Sequence, residues 1–487
     1  MADYFILVFD IGTTGTKVLV FDSVGTLIEK RYKEYSLITP SQIEIEQNSE
    51  DWWDAVKTLT KDICKKSEFD CSKIKAIGIT TQRGTVVPLD SDGNPLYNAI
   101  TWMDTRSVDV SDELKEKLIQ RTITQKILWF KQKKPEIYSK TAVFASTDSY
   151  ITKKLVDRFL ITPSTAAYYP YSVSEYNWDE ELASDLGLEI EKFPEIVMPG
   201  EKIGTLESKI AEELGLPTDL DVIMGVGDQQ ASAVGLGVIE PYKIKATTGT
   251  GTFVDVVVDE PYFEYYEPTT HMFILPFLKE GSWLLEAVIP GTGALLRWFR
   301  DNFAKEEVEQ AKKENKDPYD LITAKASEIP PTSEKLIVIP MFSFGRGVMN
   351  GLSFAHTKYH IARAILESNG YSIRFFLDMI ADSFELELGD IIIDGGGAKS
   401  DVWNQIIADI TNKKLLRTHV VEDAGALGAA ILASVGTGIH GSLEEAISKM
   451  IKITKEYTPN NELFSKYDEL YDTFQELMLS AAAGLEV

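Results

Sequence analysis

The stretch at residues 5–22 constrains the fold of this chain most strongly. Two short apolar runs, 5–9 and 18–21, have the length and β-branched content of buried strands. Between them lies a turn of glycine and threonine that Asp10 opens. Glycine lets backbone N–H groups face anionic oxygens, and Asp10 could hold Mg²⁺ beside them. The sequence therefore predicts a phosphate-binding hairpin, to which the hydroxyls of Thr13, Thr14 and Thr16 add further donors. The alternative is an ordinary turn.

The same pattern returns about 235 residues later in the chain. Residues 246–252 again place small and hydroxyl-bearing residues before a β-branched run at 253–258. Two similar hairpins suggest a duplicated domain, with nucleotide phosphates held between the two copies. The repeated hairpin therefore predicts two domains.

Asp228 follows a predicted strand and precedes a helix of small residues. An aspartate held there could accept the proton of a substrate hydroxyl, the general-base role that a phosphoryl transfer to an alcohol requires. The alternative is an aspartate that only caps its helix.

Three consecutive glycines end another predicted strand at residues 391–394. A helix is predicted to begin shortly afterwards, at Asp401. Glycine permits the backbone to approach a flat ring closely, and helix N–H groups can face phosphate or ribose oxygens. The segment therefore favours an adenosine pocket over a simple strand-to-helix turn.

Polar and aromatic residues cluster at the ends of two further predicted strands. They are Gln82, Arg83, Trp102, Asp104 and Arg106. An apolar wall with a few converging polar groups suits a polyhydroxylated ligand. The alternative is a salt bridge between Asp104 and an arginine, with Trp102 in the core.

The composition excludes several classes of partner. The formal charge of −26 argues against nucleic acid and against an anionic membrane surface. No run approaches 18 apolar residues, and Cys64 and Cys71 have no zinc-site spacing. We expect a soluble, cytoplasmic protein with reduced thiols.

His356 and His360 could hold a metal, but capping or packing is favoured because no third ligand is evident.

Taken together, these stretches resemble the FGGY carbohydrate kinase family, which includes glycerol kinases and xylulokinases. They occur in the order of the family and span nearly the whole chain. The matching stretches are DIGTTGTK at 10–17, ITTQRG at 79–84, ITWMDTRS at 100–107, GVGDQQASAVGLG at 225–237, TTGTGTF at 247–253, GLSFAHTKYHIARAILES at 351–368, DGGGAKSDVWNQIIADI at 394–410 and AGALGAAILA at 424–433.

The resemblance implies two ribonuclease-H-like α/β domains of the actin and hexokinase type around a central cleft, at residues 1–241 and 242–487. It implies ATP and Mg²⁺ as cofactors and a small sugar or polyol as substrate. A homodimer is a hypothesis that does not rest on the resemblance. Asp228 would be the catalytic base and Asp10 would help to hold Mg²⁺. The residues implied at ATP are Thr13 and Thr14 at the γ-phosphate, Gly249 and Thr250 at the phosphates, and Gly396, Gly397 and Ala398 at the adenosine. The residues implied at the sugar are Gln82, Arg83, Trp102, Asp104 and Gln229.

Gly84 departs from both main branches of the family. Glycerol kinases carry Gln-Arg-Glu where this chain has Gln82-Arg83-Gly84, and xylulokinases carry Gln-Met-His-Gly. Pocket space released at Gly84, and an adenosine segment similar to that of xylulokinases, favour a ketopentose such as xylulose. Glycerol and autoinducer-2-type acceptors are the alternatives within the family. An actin- or chaperone-like nucleotide switch is the alternative from another class.

Overall fold

The computed structural model describes residues 4–66, 70–106, 114, 117–260 and 272–483. The chain divides into two compact units. The first comprises Met1–Gly237, Leu275–Trp283 and Asp423–Ile451, and the second comprises Val238–Ile274, Leu284–Glu422 and Lys452–Val487. The predicted division into 1–241 and 242–487 stays a prediction.

The strands, in chain order, are β1 Phe5–Ile11, β2 Gly15–Asp22, β3 Leu27–Glu34, β4 Glu46–Gln47, β5 Ile74–Thr81, β6 Val86–Leu89, β7 Ala99–Ile100, β8 Val143–Ser146, β9 Leu160–Ile161, β10 Tyr171–Ser172, β11 Asn177–Trp178, β12 Glu195–Ile196, β13 Lys202–Thr205, β14 Asp221–Gly227, β15 Ile244–Thr248, β16 Thr252–Val258, β17 Met272–Pro276, β18 Trp283–Ile289, β19 Ile337–Ile339, β20 Val348–Asn350, β21 Ile391–Asp394, β22 Leu415–Thr418 and β23 Ile453–Tyr457.

The α-helices are α1 Ser49–Lys66, α2 Thr122–Lys133, α3 Pro135–Lys140, α4 Thr147–Val156, α5 Pro163–Ala166, α6 Glu180–Asp185, α7 Ser208–Leu214, α8 Asp228–Gly235, α9 Thr292–Phe303, α10 Lys305–Glu314, α11 Pro318–Ser327, α12 Lys358–Phe384, α13 Asp401–Thr411, α14 Ala424–Gly436, α15 Leu443–Met450 and α16 Asn461–Ala482. Short 3₁₀ helices lie at Cys71–Lys73, Ile190–Lys192, Pro331–Lys335, Met341–Phe344 and Gly396–Lys399.

The first unit is built on a six-stranded sheet in the order β13-β14-β5-β1-β2-β3. β1 pairs antiparallel with β2 and parallel with β5. Helices cover both faces at the centre, because α14 packs on β1 and β5 while α1 packs on β2. Strands buried on both faces are expected to be apolar throughout. This explains why residues 5–9 of β1 form an uninterrupted apolar run.

Helices α8 and α14 approach each other at backbone distance. A Cβ on Gly428 would lie 1.8 Å from the Ala231 carbonyl oxygen, and one on Gly235 would lie 1.9 Å from that of Ala424. Only glycine fits such contacts, so the two helices pack backbone against backbone at these positions. An added Cβ on Gly425 would lie 3.4 Å from the Asp228 carbonyl oxygen, so the start of α14 also lies next to the start of α8.

The second unit contains a seven-stranded sheet in the order β17-β18-β16-β15-β21-β22-β23. β15 pairs antiparallel with β16 and parallel with β21. This repeats the arrangement of β1 with β2 and β5. The two hairpins therefore have the same strand topology within their units.

Helix α16 buries one face at Tyr467, Tyr471, Phe474 and Met478. The side chain of His360 completes a capping box with Thr357 at the start of α12, which confirms the capping interpretation for His360. Among the described residues, no three acidic, histidine or cysteine side chains form a metal site. The described helices also include none with the length and apolarity to cross a membrane.

Candidate active site

In the first hairpin, two of the three threonine side chains are accessible to solvent. The turn of this hairpin is closed by a hydrogen bond from Gly12 N to Gly15 O at 3.0 Å. Thr13 is half-buried and Thr14 is exposed, but the Thr16 side chain is fully buried. Side chains alternate between the two faces of a strand, which turns Thr16 into the interior. Its position does not support the predicted contact with phosphate.

Asp10 lies at the end of β1 beside a line of alternating charges. Lys17 Nζ is 3.5 Å from Asp10 Oδ2 and 3.1 Å from Asp423 Oδ1. Lys30 Nζ reaches Asp423 Oδ2 at 2.7 Å from the other side. Sequence analysis did not single out these partners, since Asp423 is remote in the chain.

These charges perturb each other's protonation. Burial raises the pKa of Asp10, Lys17 opposes that rise, and Asp228 and Asp423 add to it. Burial disfavours the Lys17 ammonium, but Asp10 and Asp423 outweigh burial and raise the pKa of Lys17. Asp10 on the hairpin, Asp228 and Asp423 therefore lie close enough to interact, and Lys17 lies between Asp10 and Asp423.

Asp228 is oriented by two donors at the start of α8. Its Oδ1 accepts a hydrogen bond from Arg83 Nε at 3.2 Å and another from Gln229 N at 2.8 Å. The side chain remains 40% exposed. A carboxylate that is held by a neighbouring residue and accessible to a ligand has the geometry of a general base.

A hydrogen-bond network connects the predicted acceptor residues to the first hairpin. Gln82 Nε2 donates to Gln47 Oε1 at 2.9 Å, and Gln47 Nε2 donates to the Thr13 carbonyl. Trp102 Nε1 donates to Thr13 Oγ1 at 2.9 Å. The Trp102 side chain is 50% exposed, so its alternative assignment to the core is wrong. Sequence analysis missed Gln47, which lies on a two-residue strand without a motif.

Asp104 is an internal residue. Its Oδ2 accepts hydrogen bonds from Ile45 N at 2.6 Å and Arg106 Nη2 at 2.7 Å. Its Oδ1 accepts one from Arg106 Nε at 2.8 Å, and Arg106 also binds Glu46. The side chain has no exposed surface. The structure thus has the ion pair that was the alternative, and this burial does not support the predicted contact of Asp104 with a sugar.

Both the backbone conformation and the packing at position 84 favour glycine. The Gly84 φ of +68° lies in the left-handed region, and an added Cβ would meet Trp102 Cβ at 3.2 Å and Thr122 Oγ1 at 3.4 Å. The space beside Gly84 is therefore filled by neighbouring residues. The expectation that Gly84 releases pocket space is wrong.

In the second unit, the second hairpin and the glycine turn lie together. Thr247 on β15 pairs with Asp394 on β21. A Cβ on Gly395, whose φ is +84°, would lie 2.5 Å from the Thr248 carbonyl oxygen. Two motifs far apart in sequence thus form one continuous surface. Gly249 and Thr250 are exposed at the tip of the hairpin.

The glycine turn has an open side and a buried side. Gly396 is exposed and has nothing within 4 Å of an added Cβ, and Gly397 is half-buried. Ala398 is fully buried, with its carbonyl accepting from Asn404 Nδ2 at 2.8 Å. A flat ring can therefore approach the backbone of Gly396 and Gly397, whereas Ala398 supports the turn from beneath.

Asp10 fits a magnesium ion that is held mainly by phosphate. Mg²⁺ in phosphoryl-transfer sites is commonly bound through one or two carboxylates together with phosphate oxygens and waters. A single strand-end carboxylate next to a hairpin of N–H groups and hydroxyls has that character, and Asp228 and Asp423 add negative charge nearby. The absence of a three-ligand cluster among the described residues is compatible with such a site.

Comparison with known proteins identifies the class of this chain. The N-terminal domain of the FGGY family of carbohydrate kinases matches residues 5–235, and its C-terminal domain matches residues 244–437. The chain therefore belongs to the FGGY family of carbohydrate kinases. It is a carbohydrate kinase that acts on a small sugar or polyol with ATP as the phosphate donor.

Its relatives have several different acceptors in their names. The chain is 29% identical to a gluconokinase of Bacillus licheniformis, over 97% of this chain and 95% of that protein. It is 30% identical to a glycerol kinase of Saccharolobus islandicus, over 100% of this chain and 98% of that protein. The structure of a ligand-bound xylulose kinase from Lactobacillus acidophilus is similar, with a TM-score of 0.87, 25% identity and 99% of both chains covered.

These matches decide two of the predictions. The fold class, with two α/β domains of the ribonuclease-H-like actin and hexokinase type, is confirmed. The kinase prediction is confirmed as well, against the alternative of an actin- or chaperone-like nucleotide switch. The acceptor is not decided, because the similarity to each named relative is comparable.

Proposed function

We propose that this kinase phosphorylates a ketopentose such as xylulose, with Asp228 as the general base. The observation that carries this proposal is the contact of Asp228 with Arg83 and its partial exposure. Asp228 accepts the proton of the acceptor hydroxyl while that oxygen attacks the γ-phosphorus of ATP, the bond from the γ-phosphorus to the β–γ bridging oxygen breaks, and ADP leaves with that oxygen. Arg83 keeps the carboxylate oriented, so that the reactive oxygen meets it in one geometry.

Thr13 and Thr14 on the first hairpin bind the γ-phosphate of ATP in this proposal, through backbone N–H groups and hydroxyls. Gly249 and Thr250 on the second hairpin are the further proposed contacts of the ATP phosphates. Asp10 would hold Mg²⁺, and the ion would supply positive charge that offsets the charge of the phosphate oxygens.

The glycine turn binds the adenosine moiety. Gly396 and Gly397 border the ring through their exposed backbone, and Ala398 acts from beneath by fixing their conformation. The acceptor itself is bound by Arg83, Trp102 and Gln229, while Gln82, which is buried, supports the site through its hydrogen bond to Gln47. The Trp102 ring offers an apolar face to the carbon skeleton of a sugar, since half of its surface is exposed.

The charges of the acceptor residues support an uncharged acceptor. Arg83 is paired with Asp228, and Arg106 is buried with Asp104 and Glu46. Within the described part of this cluster, the guanidinium groups thus already have carboxylate partners. An acceptor carboxylate would have to compete with them, whereas a ketopentose would not. The glycine-rich segment at 394–401 is a second support, since it is similar to that of xylulokinases.

Gluconate is the second candidate, because gluconokinases are among the most similar relatives. Gluconate carries a carboxylate and xylulose does not. Gluconate would therefore require an unpaired positive charge in the acceptor site, whereas xylulose would not. Glycerol is a further candidate from the same comparison.

The experiment is an ADP-release assay with Mg²⁺ and ATP over xylulose, other ketopentoses, gluconate, glycerol and an autoinducer-2-type acceptor. Mass spectrometry identifies the phosphorylated product. Preferred turnover of xylulose supports the proposal, and preferred turnover of gluconate or glycerol refutes the acceptor assignment.

The role of Asp228 is tested separately with Asp228→Asn. We expect the rate to fall by about 10²–10⁴ with the folded structure retained. Asp179→Asn is the matched control, since Asp179 also accepts a backbone hydrogen bond at a helix start, from Leu182 N at 2.9 Å. Equal activity of the two variants would leave Asp228 with a capping role only.

A further inference from the structure

Lys126 is a buried lysine beside the acceptor residues. It lies on α2, has 3% of its surface exposed, and donates from Nζ to the Gly84 carbonyl oxygen at 2.6 Å. An ammonium group has three donors. Among the described residues, this carbonyl is the only hydrogen-bond partner that the structure gives it.

The environment of Lys126 is costly for a charge. Burial lowers its pKa to about 7, Asp104 opposes that effect, and Arg106 adds to it. Asp104 is already paired with Arg106, so it compensates Lys126 only in part. Burial of an apolar side chain of the same length at this position would cost less free energy than burial of the lysine. The presence of lysine is therefore not explained by stability.

The Gly84 carbonyl belongs to the turn that carries Arg83. Gly84 leaves strand β5 in the left-handed conformation, at φ +68°, and packs against Thr122 on the same helix as Lys126. Thr122 and Lys126 are four residues apart, so they share one face of α2. This face contacts the turn at Gly84 through packing and fixes its peptide through a hydrogen bond.

Arg83 in turn contacts Asp228. Its Nε is 3.2 Å from Asp228 Oδ1, and its Cγ and Cδ lie so close to Gly227 that an added Cβ would be 2.4–2.5 Å from them. Little room remains for Arg83 to take another position unless its own backbone moves. The backbone of the turn directly after Arg83 therefore influences the distance between Arg83 and Asp228. The 84–85 peptide, whose carbonyl oxygen accepts from Lys126, is part of that turn.

We infer that Lys126 is a positioning residue for the acceptor: by fixing the Gly84 carbonyl it holds Arg83 against Asp228. This inference rests on the proposed function, in which Arg83 and Asp228 bind the acceptor and its reacting hydroxyl. Lys126 does not touch the reacting atoms. Its loss should affect binding of the acceptor more than binding of ATP, whose proposed contacts lie on the two hairpins and the glycine turn.

The test is Lys126→Met, which keeps the length of the side chain and removes the donor. Lys131→Met is the matched control, because Lys131 lies on the same helix and also donates to backbone carbonyls, those of Leu186 and Gly187. We expect the KM for the acceptor to rise about tenfold in Lys126→Met. The KM for ATP should stay within about twofold in both variants.

A second readout does not depend on catalysis. Amide hydrogen exchange over residues 79–86 should be faster in Lys126→Met than in the wild type, and unchanged in Lys131→Met. If no acceptor is phosphorylated by the wild type, the proposed function fails while exchange still tests the positioning of the turn. Unchanged exchange together with an unchanged acceptor KM overturns the inference. An equal rise in the KM values for ATP and acceptor also overturns it.

Discussion

Replacement of Gly84 by alanine tests how the acceptor turn is built. The residue has a φ of +68°, and an alanine Cβ would lie 3.2 Å from Trp102 Cβ and 3.4 Å from Thr122 Oγ1. Two separate costs follow, one from the backbone conformation and one from the contact. Gly215 separates them, because its φ is +74° and an added Cβ would meet nothing within 4 Å.

The backbone cost applies to both glycines. An alanine in the left-handed region destabilises the folded state by about 1–2 kcal/mol. Alanine also makes the unfolded chain less flexible than glycine does, which raises the free energy of unfolding by about 0.4–1 kcal/mol. We therefore expect Gly215→Ala to lower the free energy of unfolding by about 0.5–1 kcal/mol. Gly84→Ala must also move Trp102 or Thr122, which adds about 1–2 kcal/mol.

The assay is urea unfolding of both variants, followed by the acceptor KM of each. Displacement of Trp102 would disturb its hydrogen bond to Thr13 Oγ1, so the acceptor KM should rise in Gly84→Ala and stay constant in Gly215→Ala. Equal losses of stability in the two variants, with an unchanged acceptor KM, would refute this reasoning. The contact with Trp102 would then have no consequence.

Three further predictions concern charge and packing. Asp423→Asn removes a partly buried partner of Lys17, and we expect a loss of about 1–2 kcal/mol in the free energy of unfolding, diminished at high salt. Lys126 has a pKa of about 7 in the folded chain against an ordinary value of 10.5, so the unfolded chain binds more protons between these values. Stability should therefore rise with pH from about 7 to 10, by about 2–4 kcal/mol, and Lys126→Met should abolish this part of the rise in denaturant titrations. Gly428→Ala would place a Cβ 1.8 Å from the Ala231 carbonyl oxygen, and a drop in melting temperature of less than about 2 °C would contradict such close packing.

Local patterns in the sequence were sufficient for the elements that carry the site. The hairpin of β1 and β2 follows from two apolar runs and a glycine-rich turn, and residues 5–11 and 15–22 are strands in the structure. Asp228 begins a helix directly after a strand, as its neighbours predict. These features depend on residues within a few positions of each other, where backbone preferences and side-chain periodicity act.

The tertiary structure decided which side chains meet. Asp423 reaches Lys17 because glycines let α14 pack closely on α8, and no local pattern indicates that pairing. Asp104 accepts a hydrogen bond from Ile45 N across 59 residues of sequence, and Lys126 reaches Gly84 across 42 residues. In each case the decisive terms are desolvation and a hydrogen bond between distant segments. Those terms depend on the packed environment of a side chain, which residue order does not encode locally.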